Sequence, residues 1–318
     1  MLSGDPKQLG PTVRSNCASK NGLSLSLQER LMGLSMYQQN SNYCVVTRFY
    51  DNYRSHSALL AVPSELFYEG SLRCKASAEI TSACGGFEML RDGQNFPLLV
   101  YDVFDGQERS KLDTPSFYNV EECYATVKII QSLLASPNVN VNAGQIVVIT
   151  CFRAQVLKMR EILRESHLAT INVGVVEDFQ GQESSVVLVS TVLTKNQRRW
   201  MKGPLSGLGF MLDPKRFNVA ITRASSLCVV IGNVQYLEKS GSYWEALIEH
   251  VRNKSGVSGA SIVESGLDDE GFHSNYGMEA FIQKVEELNL LGAGHEMDRY
   301  DLAMRGYYED SPVWKVCM

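Results

Sequence analysis

The stretch Val176-Glu-Asp-Phe-Gln-Gly-Gln-Glu-Ser-Ser-Val-Val-Leu-Val-Ser-Thr191 decides the fold. Its first half is a polar turn around Gly181, and its second half is an apolar run. A strand with one wet face alternates apolar and polar residues. Ser185–Val192 is largely apolar on both alternating sets, as a parallel strand covered on both faces must be. Phe96–Val103, Gln145–Thr150, Val173–Val176 and Leu227–Gly232 carry the same signature.

Helical patterns fill the gaps between these runs. Val120–Ala135 places Val120, Cys123, Tyr124, Val127, Ile130 and Leu134 at three-four spacing, and Arg153–Glu165 does the same with Val156, Leu157, Met159, Ile162 and Leu163. Asp213-Pro214 reads as an N-cap followed by a first-turn proline, opening a helix to about Arg223. Ser242–Glu245 reads as a capping box before Ala246–Val251. Alternating strands and helices predict a doubly wound α/β domain. Upstream, Leu25–Leu31 has a helical pattern, as does Ser57–Glu69 with a break near Pro63. Residues 71–95 and 194–209 read as loops.

Composition sets the outer bounds. The chain has 318 residues, 44% hydrophobic and 20% charged, enough to bury a sizeable core. No run of about 18 apolar residues is present for a membrane helix, and the first residues lack the basic-then-apolar order of a secretory signal. The eight cysteines form no C-x-x-C pair, and the five histidines have no metal-ligand spacing. These features predict a reducing compartment, cytosol or nucleus. The net charge of −5 is unevenly spread: residues 255–318 hold 12 acids and 4 bases, leaving 23 acids and 26 bases in 1–254. A mildly basic body favours a polyanionic partner.

Four stretches carry chemistry. In Gly4-Asp5-Pro6-Lys7-Gln8-Leu9, a glutamine after a turn can bond a phosphate oxygen or orient a water; alone the stretch is an ordinary turn. In Asn52-Tyr53-Arg54-Ser55-His56, an aromatic beside an arginine can stack a base and clamp a phosphate, although such pairs are common on surfaces. In Glu177–Glu183 the adjacent acids Glu177 and Asp178 point to opposite faces of a strand end, so they share no metal. Gln180 and Glu183 are left to face a sugar hydroxyl or a phosphate-bound water. In Lys215–Ala224, Arg216 and Arg223 lie two turns apart on one helix face. An arginine projecting there can stabilise transferring phosphoryl charge; alone the stretch is also a solvated amphipathic helix.

Taken together, in this order and spacing, the four stretches resemble the C-terminal motifs of superfamily 1 RNA helicases. The group is Up-frameshift-like, and the nearest type is that of Armitage and the Moloney-leukaemia-virus-resistance helicases. "GDPKQLGP" resembles motif III, "NYRSH" the Tyr-Arg element, "VEDFQGQE" motif V and "FNVAITRA" motif VI. The connecting stretches "SLQERL", "FYEGSL" and "DPKRFNVA" match too. The resemblance covers residues 1–254 and implies a RecA-like parallel sheet flanked by helices, an α/β fold of the P-loop NTPase type.

The resemblance also implies roles. Gln8 senses the γ-phosphate of ATP, Arg54 and Arg223 contact phosphate across a cleft, and Glu183 contacts ribose or the γ-phosphate region. Tyr53 stacks near the adenine, and Gly181 belongs to the nucleotide-binding turn. Thr150 and Arg153, in "TCFRAQ", and more weakly Thr191, hold the backbone of single-stranded RNA. Three positions depart from the family pattern: Ser57 replaces a proline, "TCFRAQ" replaces a Ser/Thr-Pro-Tyr element, and Ser225 stands where a basic residue is frequent.

The phosphate cradle G-x-x-x-x-G-K-[ST] does not occur in these 318 residues, and no D-E-x-x stretch to position Mg²⁺ precedes Gly4. In the family both lie on a first RecA-like domain. The expected organisation is therefore a remnant of that domain at 1–35, the second domain at 36–254 and an acidic, partly disordered extension at 255–318, with Met278–Leu291 as one amphipathic helix. ATP and Mg²⁺ are then held mainly by the first domain, and the chain by itself is expected to be inactive. The implied partners are single-stranded RNA, the first domain, and RNA-silencing or RNA-decay proteins in the cytoplasm. A catalytically inactive RNA-binding or protein-interaction module and a DNA helicase are the alternatives.

Overall fold

The computed structural model describes residues 1–13, 15–37, 46–90, 96–104, 106–110, 116–194, 213–254 and 262–264. In chain order these form helices α1 (Asn16–Lys20) and α2 (Leu27–Met32), strand β1 (Asp51–Asn52), helix α3 (Ser57–Tyr68), strand β2 (Arg73–Cys74) and helix α4 (Ala78–Thr81). Strands β3 (Leu98–Asp102), β4 (Glu108–Ser110) and β5 (Phe117–Asn119) lead into helix α5 (Val120–Ala135). Then come β6 (Ile146–Thr150), α6 (Arg153–Glu165), β7 (Asn172–Val175) and β8 (Ser184–Ser190). Helix α7 (Pro214–Ile221), β9 (Ala224–Gly232), helices α8 (Val234–Ser240) and α9 (Ser242–Lys254) and β10 (Ile262–Glu264) complete the described chain.

Six of the strands form one parallel sheet in the order β10-β3-β9-β8-β6-β7. Because successive strand residues point to opposite faces, the apolar runs supply two cores. Val100, Ile149, Val187, Val189 and Val230 face one layer, covered by α3, α7 and the α8–α9 pair with the fully buried Trp244. Leu99, Val148, Leu188, Val229 and Ile231 face the other, covered by α5 and α6. At about 25 cal/mol per Å² removed from water, this two-sided burial is the main force holding the layers together. The predicted RecA-like α/β architecture is the one observed.

Helices α5 and α6 have the predicted bounds. Other elements differ from the reading of the sequence. Helix α3 runs through Pro63 without a break. Proline removes one hydrogen bond from a helix, but Leu59, Leu60, Val62, Pro63 and Ser64 are all buried, and that packing keeps the helix continuous. Helix α8 was not anticipated; it is capped by Asn233, whose side chain accepts from the Tyr236 N–H. Strand β10 pairs with β3 and adds an edge to the sheet from beyond residue 254. Residues 71–95 include the short elements β2 and α4. Residues 195–209 of the expected loop, the expected helix at Met278–Leu291 and most of 255–318 lie outside the described residues.

Candidate functional site

Three of the expected phosphate-facing side chains converge at the amino-terminal edge of β8 and β9. Glu183 immediately precedes β8, and Arg223 immediately precedes β9. Arg54 reaches them from the segment before α3, where the Asn52 side chain accepts from the N–H groups of both Arg54 and Ser55 at 2.9 Å. Ser55 in turn donates to the Ala224 carbonyl at 2.8 Å, and the His56 N–H to the Ser225 carbonyl at 3.0 Å, seating this turn against β9. The Arg54 Nε is paired with the Glu183 carboxylate, and its Nη1 donates to the Thr222 carbonyl at 3.4 Å.

Arg223 is only 2% exposed. Helix α7 stops at Ile221, so Arg223 lies beyond the helix rather than projecting from its face as the sequence pattern predicted. Its guanidinium folds back, donating to the Val219 carbonyl (3.1 Å), the Gln182 carbonyl (3.2 Å) and the Thr222 hydroxyl (3.0 Å). Burial, and then the nearby Arg54 charge, push its pKa down to about 10, so it stays charged at neutral pH. Gly181 adopts φ +78° in the turn that presents the Gln182 carbonyl, a left-handed conformation suited to glycine. Tyr53 is 70% exposed beside Arg54.

The expected phosphate-sensing loop is seated on the same unit. Gln8 donates to the Asp5 carboxylate at 3.1 Å, and the Tyr68 hydroxyl donates to the same carboxylate oxygen at 2.6 Å. Asn218, on α7, donates to Tyr68 at 2.9 Å and to the Lys7 carbonyl at 3.0 Å. Burial, followed by Asp5, raises the Tyr68 pKa, which keeps the phenol protonated as a donor. Asp5 and Tyr68 were not singled out from the sequence. Tyr68 sits in "FYEGSL", a stretch matched for its position and not for its chemistry.

Two readings of the motif V turn change. Val176–Phe179 is a 3₁₀ turn; Glu177 pairs with Arg216 at 2.8 Å, while the Asp178 carboxylate caps the Val175 N–H at 3.0 Å. Glu177 and Asp178 thus diverge as expected, and Arg216 is engaged by Glu177 and Asp213. Gln180 does not face a sugar site; it donates to the Leu9 carbonyl at 3.1 Å and so fastens the Gln8 loop.

The expected nucleic-acid residues lie at the other, carboxyl-terminal edge of the sheet. Thr150 and Thr191 are fully buried. The Thr191 hydroxyl donates to the Ile231 carbonyl at 3.2 Å, and the Thr150 hydroxyl has no hydrogen-bond partner. Neither side chain offers a surface to a ligand, so any contact there is made by main chain or by the half-buried Arg153. The Ala154 N–H, in the first turn of α6, is already taken by the Ser116 hydroxyl at 3.0 Å.

This edge is organised by a buried polar cluster. Asn119 caps α5, accepting from the Glu122 N–H at 3.1 Å. In a capping box the acid at this position returns to the N-cap N–H; here the Gln155 side chain accepts that N–H at 2.8 Å. Glu122 is left free to turn to the end of β8, accepting from the Ser190 hydroxyl (2.6 Å) and the Val192 N–H (2.9 Å). Val192 has φ +70°, a strained conformation for a β-branched residue that costs about 1–3 kcal/mol. Burial outweighs these hydrogen bonds and pushes the Glu122 pKa up to about 8. Two residues on, the Thr194 N–H and hydroxyl donate to Glu108 at 2.6 and 2.8 Å.

Residues 23–235 match the AAA domain family. The human RNA helicase Mov10l1 is 39% identical over 259 residues, the chicken helicase MOV-10 35% over 288, and the Drosophila melanogaster RNA helicase armi 31% over 272. The chain belongs to the superfamily 1 helicases of the Armitage and MOV-10 type. These matches cover 79%, 85% and 80% of this helicase chain but 21%, 29% and 22% of the relatives. The chain thus spans less than a third of their length. Among the described residues, no helix is long and apolar enough to cross a membrane.

Proposed function

We propose that this chain supplies the second RecA-like domain of an ATP-dependent RNA helicase. The reading rests on the convergence of Arg54 and Arg223 on Thr222, with Glu183 paired to Arg54 and the Gln8 loop docked beside them. Two guanidinium groups and an amide form a donor set suited to a triphosphate. ATP, held mainly by a first RecA-like domain, supplies the phosphoryl bond whose cleavage drives movement.

On this reading, Arg54 meets phosphate oxygens, and Arg223 joins it once its guanidinium is released from the Val219 and Gln182 carbonyls; together they stabilise the charge that develops as the terminal bond breaks. Gln8 registers the phosphate from the adjoining loop, and Tyr53 stacks on the base. Glu183 holds Arg54 in place until phosphate competes for it, and then contacts the ribose or γ-phosphate region. The turn at Gly181 presents the Gln182 carbonyl that anchors Arg223. Mg²⁺, like ATP, is assigned mainly to the first domain, as the resemblance implies.

Single-stranded RNA is proposed to run over the carboxyl-terminal edge, meeting Arg153 and the main chain at Thr150 and Thr191. RNA-silencing or RNA-decay partners and a cytoplasmic location complete the proposal as implications of the resemblance. The proposed 1–35 and 36–254 division follows from it in the same way. The test is turnover and binding by the 318-residue chain. It binds single-stranded RNA, prefers it to matched DNA at one salt concentration, and hydrolyses no ATP alone. Steady ATPase activity that disappears in Arg223→Ala overturns the assignment of the phosphate cradle to another domain.

A further inference from the structure

The buried cluster at the carboxyl-terminal edge joins two segments that are far apart in the chain. The Gln155 side chain, in the first turn of α6, donates to the Ser190 hydroxyl at 2.9 Å, and that hydroxyl donates onward to Glu122. Gln155 also holds both main-chain groups of Asn119, at 2.8 and 3.1 Å. Asn119 donates to the Val192 carbonyl at 3.3 Å while Glu122 accepts the Val192 N–H. Both peptide groups of the strained Val192 are therefore held by the first turn of one helix. All five side chains, Asn119, Glu122, Gln155, Ser190 and Val192, are fully buried.

Side chains sealed in this way touch no ligand. They set the relative placement of the two segments that flank them, Thr150–Arg153 and Thr191–Thr194. We infer that Glu122 is a positioning residue for nucleic-acid contact: by gripping Ser190 and Val192 it locks the exit of β8 to the start of α5, and the Ser190 hydroxyl that it holds is the one Gln155 ties to the start of α6. The inference rests on the nucleic-acid reading of this edge given above. Glu122 suits the task because one carboxyl oxygen accepts two donors at once, from a side chain and from the strained main chain.

The test uses the 318-residue chain, a fluorescein-labelled uridine oligoribonucleotide followed by anisotropy, and amide hydrogen exchange at Val192. Glu122→Ala is expected to speed exchange at Val192 and to weaken RNA binding about tenfold, the loss expected when buried donors go unpaired. Glu122→Gln keeps an acceptor oxygen in place and is expected to bind within about twofold of wild type. Ser190→Ala, a smaller deletion, is expected to weaken binding about threefold, and it decides the matter by the same two readouts if Glu122→Ala does not fold. A folded Glu122→Ala with wild-type exchange, or with faster exchange and unchanged RNA affinity, overturns the inference. Absence of RNA binding by the wild-type chain instead overturns the nucleic-acid reading itself.

Discussion

Replacing Glu122 by glutamine should flatten the pH dependence of stability. The native carboxyl group has its pKa pushed up to about 8 by burial, against an ordinary value of 4.5. Between those values the unfolded chain has released the proton that the native chain still holds. The unfolded state thus binds fewer protons, and native stability falls as pH rises. The stabilisation from this group is complete below about pH 4.5 and gone above about pH 8. The interval is about 3.5 pH units at about 1.4 kcal/mol each, or ~5 kcal/mol. Glutamine has no proton to lose, so Glu122→Gln should match wild type within about 1 kcal/mol near pH 5 and exceed it by several kcal/mol near pH 8. Urea unfolding at about pH 5, 6.5 and 8, with both proteins at one ionic strength, measures the difference. Glu108 and Glu165 also have raised pKa values, so the wild-type slope alone is not diagnostic; the gap between the two proteins is. Parallel curves would show that Glu122 is ionised in the native state at neutral pH, and the argument from burial would fail.

Three further outcomes follow from the geometry. Tyr68→Phe removes the phenol shared by Asp5 and Asn218 and should cost about 1–3 kcal/mol, with faster amide exchange at Lys7 and Gln8; unchanged exchange there would mean that the loop is held by other contacts. Gly232→Ala brings a Cβ to 1.9 Å from the Thr191 hydroxyl and should lower the thermal midpoint markedly. Adding Thr191→Ala should recover much of that loss, and failure of the double variant to recover would locate the strain elsewhere. Glu183→Gln should change stability by less than about 1 kcal/mol, because its pair with Arg54 is solvent-exposed; a larger loss in urea unfolding would contradict that reading.

Much of the sheet is visible in the sequence because apolar runs on both alternating sets admit few other structures. Helix α5 is equally legible, since Asn119 marks its start and the three-four stripe marks its buried side. Legibility fails where a tertiary contact overrides a local signal. Pro63 is a helix breaker by propensity, yet the burial of its neighbours keeps α3 whole. Arg223 is in phase with Arg216 on a continuous helix, but α7 ends before reaching it. The site divides in the same way. Gln8, Arg54, Glu183 and Arg223 could be named from their motifs, whereas the Asp5–Tyr68–Asn218 link spans 63 and 150 residues of chain and leaves no short-range pattern. Glu122 carried a faint signal, a carboxylate three residues after an asparagine N-cap, but nothing local says that it reaches the end of β8.

Strand β8 has the turn carrying Glu183 at one end and the grip on Val192 at the other. Seven residues at about 3.3 Å each make it a rod of about 23 Å. From Val186 to Ser190 it is hydrogen-bonded on both sides, to β6 and β9, and buried above and below, with an irregular register against β9 between Ser184 and Val186. A rod clamped in this way does not stretch or bend appreciably under the forces of ligand binding. A displacement imposed at Val186 must therefore reappear at Ser190 with nearly its full amplitude, whereas the irregular pairing at Ser184 leaves the Glu183 end looser. That stretch would act as a lever arm, and any compliance between its two ends has to lie outside it.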